Sequence, residues 1–282
     1  MALDPGFIFS QGSLQDYVDC PRRFQLRYLL NLAWPAAEAE PVAEHEERMR
    51  RGRAFHRLVQ QHALGIVGDE VPMGGASDEE LRSWWRNYLD HGPVGLPEQR
   101  HMEIGLSTPL AGHRIVAKYD VIAIDRGSRA VIVDWKTSLE RPKAAWLSAR
   151  LQTRVYRYVL VRAGAHLNGG LPIPPEQVSM VYWFAEFPDE PETLRYDATQ
   201  HGADGRYLET LIAEIKGLAG SDQPLAADIR RCRFCVYRSL CDRGTSAGDL
   251  AGGETGSVEA SEIAERSWES RFDFDQISEI EL

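Results

Sequence analysis

Residues 113–138, HRIVAKYDVIAIDRGSRAVIVDWKTS, constrain the fold more than any other stretch. Two runs rich in Val and Ile flank a turn holding Gly127 and Ser128, the pattern of paired β-strands. Strand side chains alternate faces, so Asp134 and Lys136 point one way and Trp135 the other. If the two runs pair, Asp120 approaches Asp134. Two carboxylates that close repel unless a cation lies between them, and Mg²⁺ takes such oxygen ligands. Lys136 then stands where it can polarise a water or stabilise charge on a phosphate. An ion pair at a sheet edge would give the same local pattern.

Elsewhere the chain alternates helical and extended patterns. Residues 13–33 read as a helix broken by a turn, with Ser13 as N-cap, Leu14, Tyr17 and Val18 on one face, and Pro21 opening a second segment. PAAEAEPVA, 35–43, reads as a linker, and about 44–64 as a helix with Phe55, Leu58, Val59 and His62 on one face and His56 beside it. A helix over roughly 78–90 carries Trp84 and Trp85, which suit the core better than base stacking. Strands are expected at about 101–108, with Glu103 facing outward or toward a site, and after the loop 165–177. Residues 142–163 read as one long helix on which Gln152 and Tyr156, four apart, share a face. Its arginines form either a solvated face or a phosphate-binding one. A last helix spans 200–219.

Charge matters through its placement. The chain carries −10 overall, but the ten acids of 249–282 face only Arg266 and Arg271, so the first 248 residues carry about −2. Residues 244–270 have the composition of a disordered tail, and RFDFDQISEIEL at the end alternates apolar and acidic residues. It reads as a solubilising tail, a partner-binding segment, or an occupant of a basic DNA path. No apolar stretch reaches membrane-span length, and MALDPGFIFSQGSLQ lacks the pattern of a secretory signal, so a cytoplasmic protein is expected.

The four cysteines are Cys20, Cys232, Cys235 and Cys241. In a cytosolic chain four thiols suit one zinc or one iron–sulfur cluster better than disulfides. A lone cysteine plus a distant triplet differs from the paired spacing usual for structural zinc.

Taken in order, these motifs resemble the iron–sulfur members of the PD-(D/E)xK nuclease superfamily: the AddB C-terminal nuclease, RecB-like nuclease domains and the CRISPR-associated adaptation exonucleases. The resemblance spans about Ser10 to Arg243. It rests on Ser13, Leu14, Tyr17, Cys20 and Pro21; on Gly52 and His56; on Asp120; on Asp134 and Lys136; on Gln152 and Tyr156; and on the C-terminal cysteine triplet. Ala117 stands where the family usually has glycine.

The resemblance implies an α/β restriction-endonuclease-like fold: a mixed central sheet flanked by helices, an N-terminal helical part and a C-terminal iron–sulfur lobe. It implies one domain over 1–243, followed by the tail 244–282. It also assigns roles. His56, Asp120, Asp134 and the carbonyl of Trp135 hold Mg²⁺ or Mn²⁺. Asp120, Asp134 and Lys136 form the catalytic set, with Lys136 orienting the attacking water. Gln152 and Tyr156 position the DNA strand, and neighbouring basic residues neutralise phosphates. The four cysteines bind a [4Fe–4S] cluster.

The activity implied is metal-dependent DNA cleavage, exonucleolytic on single-stranded ends, in repair, recombination or CRISPR adaptation. A non-catalytic DNA-binding or scaffold subunit of a helicase–nuclease or CRISPR complex is the competing reading. No Gly-x4-Gly-Lys-Ser/Thr loop occurs, so unwinding would need a helicase partner; a CRISPR integrase is the other partner the resemblance suggests.

Overall fold

The computed structural model describes residues 3–32, 40–70, 78–218 and 222–244, with the backbone alone for 40–46. Most of the expected linker and the acidic tail beyond Gly244 lie outside these residues. In chain order the elements are β1 (Ile8–Ser10), α1 (Gln11–Asp19), α2 (Pro21–Phe24) running into a π-helical turn (Gln25–Leu29), α3 (Glu40–Ala63) and α4 (Glu79–His91). Then come β2 (Gln99–Leu110), β3 (His113–Asp125), β4 (Arg129–Lys136), α5 (Ala144–Ala149), α6 (Leu151–Ala163), β5 (Val178–Phe184), β6 (Phe187–Arg195) and α7 (Ala198–Gly217).

Among the described residues six strands form one mixed sheet with β3 as its hub. A strand has two edges, yet β3 has three partners. β2 runs antiparallel along one edge, from Leu110↔His113 to Gln99↔Ile124. β1 and β4 therefore share the other. β1 lies parallel to Arg114–Val116 and β4 antiparallel to Val121–Asp125. Between them the edge of β3 over 117–120 faces a gap. β5 continues parallel to β4, and β6 closes the sheet antiparallel to β5.

Helices cover both faces. The main core sets Ile132, Met180 and Tyr182 of the sheet against Leu151, Val155 and Val159 of α6 and Leu208 and Ile212 of α7. The smaller core sets Val131, Val133, Trp135 and Trp183 against Phe55 and Val59 of α3 and Trp84 and Trp85 of α4. Trp84 and Trp85 are fully buried, which assigns both to packing. Burying each large apolar side chain contributes about 1.5–3 kcal/mol. No helix among the described residues is long and apolar enough to cross a membrane.

Several local expectations need correction. Helix α1 begins at Gln11 with Ser10 as N-cap; Ser13 is the third helical residue and returns the bond, completing a capping box. Val18 lies outside the core at 42% exposure. Helix α3 starts at Glu40, since Pro41 is tolerated in a first turn. The long helix expected at 142–163 is two, because Arg150 adopts extended backbone (φ −61°, ψ 144°) between α5 and α6. β6, FPDEPETLR, shows no alternation because it is an edge strand rich in charge and proline.

Candidate active site

The site forms where the sheet loses its alternation. Ile115, Ala117 and Tyr119 of β3 face the main core, and so do Ile122 and Ile124, whereas Val121 and Ala123 face the smaller one. A strict period of two forbids that set, so the pattern slips at Asp120. β2 slips at the same level: Ile104 packs on the main core and Met102 on the smaller. The residue between them, Glu103, has φ +52°, a left-handed conformation unusual for glutamate. Register is kept on both sides (Met102↔Val121, Ile104↔Tyr119), which sets Glu103 opposite Asp120.

Asp120 occupies the end of the gap between β1 and β4. Its Oδ2 accepts the Trp135 N–H at 2.9 Å, taking the place of a ladder carbonyl. Its Oδ1 lies 3.2 Å from Nδ1 of His56. His56 reaches it because Phe55 and Val59 anchor α3 on the smaller core, and the residue after Phe55 is rotated about 100° toward the gap. Gly52, one turn earlier, lets α3 approach the end of β4: a Cβ there would stand 3.1 Å from Thr137 Oγ1.

Asp134 and Lys136 arrive from the other face. Lys136 Nζ pairs with Asp134 Oδ2 at 2.9 Å, and both are nearly buried. Gln152 Nε2 donates to Asp134 Oδ1 at 2.7 Å. Tyr182 lies beneath the lysine, its ring centroid 5.8 Å from Nζ, and its hydroxyl donates to Thr153 Oγ1 at 2.7 Å, that hydroxyl itself donating to the Leu147 carbonyl.

The electrostatics fit a cation site. Burial opposes charge on His56, but Asp120, Glu103 and Asp134 outweigh it and lift its pKa to about 9. Burial likewise opposes charge on Asp120, yet His56, the Trp135 N–H and Lys136 hold it below the ordinary carboxylate range. Glu103 is pushed up by burial and by Asp120, against Lys118 and His56. Ligand atoms of His56, Glu103 and Asp120 all lie within 4.8 Å of one another. An octahedral ion with donors about 2.1 Å away holds opposite donors about 4.2 Å apart, so a small closure fits this imidazole and carboxylate set to Mg²⁺ or Mn²⁺.

Glu103 is the residue that sequence reasoning left outside the metal set. Its strand position was legible, but the slip that turns it toward His56 was not. Gln152 and Tyr156, expected to position the DNA strand, are both buried. Gln152 is buried on Asp134, and Tyr156, 4% exposed, packs its ring 4.9 Å from that of Tyr119. Three of the arginines expected to meet phosphates are engaged within the protein. Arg157 is buried among Asp204, Tyr196 and the Thr153 carbonyl, Arg154 bonds Asp204, and Arg141 bonds Glu192.

The four cysteines are free thiols from two distant segments. Burial, then Cys235, Cys20 and Cys241, push the Cys232 thiol up; burial, then Cys235 and Cys20, push up Cys241. The four are thus close enough to feel one another's charge. Arg22, Arg23 and Arg243 act in the opposite sense on Cys235 and Cys241.

A family model for the PD-(D/E)XK nuclease superfamily matches residues 8–242. No curated protein matches the chain in sequence. A crystal structure of a protein from Eubacterium rectale, provisionally named an exonuclease, aligns with a TM-score of 0.50 at 10% identity, over 89% of this chain and 92% of that one. The crystal structure of SSO0001 aligns at 15% identity over 83% of this chain and 85% of its own, with a TM-score of 0.37. The family match spans every element from β1 to the cysteine triplet, and on that ground the chain belongs to the PD-(D/E)XK nuclease superfamily.

Proposed function

We propose that this protein is a metal-dependent deoxyribonuclease that acts exonucleolytically on single-stranded ends. Two observations support the reading: the His56–Asp120 pair at the sheet gap, and the buried Asp134–Lys136 pair near enough for Asp134 to raise the His56 pKa and Lys136 to lower that of Asp120, inside the family's fold. His56, Asp120, Asp134 and the Trp135 carbonyl would hold Mg²⁺ or Mn²⁺, with Glu103 as an additional donor. A bound divalent cation supplies Lewis acidity at the phosphate and a more acidic water. Lys136, fixed by Asp134 and Tyr182, orients that water toward phosphorus. Gln152 fixes the Asp134 carboxylate through its Oδ1.

The cysteines fit an iron–sulfur cluster as a donor set: four thiols, none in a disulfide, beside three guanidiniums that offset thiolate charge. Cys20, Cys232, Cys235 and Cys241 would carry a [4Fe–4S] cluster that staples the C-terminal segment to the first helices. An enzyme of this kind would draw its substrate from a helicase or CRISPR integrase partner.

The test is cleavage of end-labelled single- and double-stranded DNA with Mn²⁺ or Mg²⁺, using anaerobically purified wild type and Asp134→Ala. Cleavage by wild type alone is expected, with mononucleotides released from one end. Equal cleavage by both proteins, or none by a folded wild type, refutes the assignment.

A further inference from the structure

Glu103 faces two kinds of partner. Its Oε2 lies 2.7 Å from Lys118 Nζ, yet its carboxylate also belongs to the donor group with His56 and Asp120. Lys118 precedes Asp120 by two residues, and Arg114 lies four residues further back. Both stand on the face of β3 opposite Ile115, Ala117 and Tyr119 of the main core. Across the pair, Gly105 and Ser107 of β2 stand opposite Lys118 and Val116, and Arg114 bonds the Ser107 hydroxyl. Helices α3 and α4 bury Val121, Ala123, Val131 and Val133 on this side of the sheet, whereas Gly105, Ser107, Arg114 and Lys118 keep exposure to solvent. Two cations, Lys118 and the exposed Arg114, therefore lead away from the donor group along this face, with the buried Val116 between them.

This arrangement sets a conflict. Phosphate is repelled by the acids of the site, and the cation nearest to them is engaged by one of those acids. We propose that Glu103 is a gate coupling metal binding to DNA binding. Without metal it neutralises Lys118. When its carboxylate turns to a divalent cation, Lys118 gives up that partner and takes a phosphate of a DNA strand laid along Lys118 and Arg114. The gate deepens the nuclease reading above and rests on it.

Fluorescence anisotropy of the full chain with a labelled single-stranded oligonucleotide, in EDTA and in Ca²⁺, tests the gate. In EDTA, Glu103→Gln binds about fivefold tighter than wild type, the scale of a partly exposed ion pair. Adding Lys118→Ala removes that gain. In Ca²⁺ wild type tightens at least about fivefold and Glu103→Gln responds less. Lys118→Ala lowers the salt slope in Ca²⁺ by about 0.7, one phosphate contact. Lys118 and the cation compete for the Glu103 carboxylate, so Lys118→Ala binds Ca²⁺ more tightly in calorimetry without DNA. Glu103→Gln is isosteric, and unfolding curves on both variants establish that they are folded. A Glu103→Gln protein no tighter than wild type in EDTA, or one whose gain survives loss of Lys118, overturns the gate and leaves the nuclease reading standing. Wild type that binds no DNA in either condition overturns both.

Discussion

Asp120 divides its two oxygens between the Trp135 N–H and His56. It therefore fixes backbone and donor set together, and its charge is what the site needs most. Asp120→Asn keeps the shape and removes the charge, so affinity for Mn²⁺ falls more than about a hundredfold, read by calorimetry. Lys136 differs, since the proposed mechanism has it orient the attacking water rather than hold the ion. Lys136→Met retains Mn²⁺ binding while single-turnover cleavage falls at least about a hundredfold, the usual scale for a lost proton-handling group. Gln152→Leu lies between these two. Asp134 keeps Lys136 but loses the Nε2 bond, and cleavage drops about tenfold to a hundredfold. At this scale the sequence showed which residue types were present. It could not show that Gln152 and Tyr156 are buried, because helical spacing sets a shared face and says nothing of what covers it.

Between elements, the placement of α3 decides whether His56 reaches Asp120. Gly52, one turn before the histidine, is a point of close approach, where a Cβ would stand 3.1 Å from Thr137 Oγ1. A side chain there must push against Thr137, so Gly52→Leu tilts α3 away from β4 and weakens Mn²⁺ binding by at least about tenfold. Circular dichroism that stays native shows the loss to be one of placement. The junction of α1 with the C-terminal segment is a second such contact. Asp19, nearly buried, bonds Arg23 and Arg231. Asp19→Asn leaves Arg23 paired with Asp16 alone and costs about 1.5–3 kcal/mol in denaturant unfolding. Arg231→Ala removes a side chain 42% exposed and costs under about 1 kcal/mol.

Across the whole molecule, chain ends far apart in sequence meet at one place. The Arg22 N–H bonds the Pro224 carbonyl, Gln223 N–H bonds Gln25, and Tyr237 OH bonds the Leu32 carbonyl. These contacts hold the C-terminal segment against the first helices independently of the cysteines. On the proposed [4Fe–4S] assignment, Cys235→Ser therefore gives a protein poor in iron and sulfide whose sheet and helices survive. The C-terminal segment is expected to exchange amide hydrogens faster, since it keeps only the polar contacts. Hydrogen exchange of the variant against an anaerobic wild type measures this; loss of protection throughout the sheet would contradict it.

The sequence by itself determined the β3–β4 hairpin, the helix anchors Phe55 and Val59, the last helix, and the order of the chemistry-bearing residues. Those follow from short-range rules: alternation in strands, apolar spacing in helices, and turn chemistry at Gly127. Only the tertiary structure decided the rest. The break at Arg150 carries neither glycine nor proline, so nothing local announces it. The slip at Asp120 and Glu103 arises because one strand must serve two partners along a single edge, and the gap between them turns carboxylates off their expected faces. Pairing partners along a strand edge are a long-range property. For that reason the sequence named Asp120 as a candidate, and the sheet alone brought Glu103 to it.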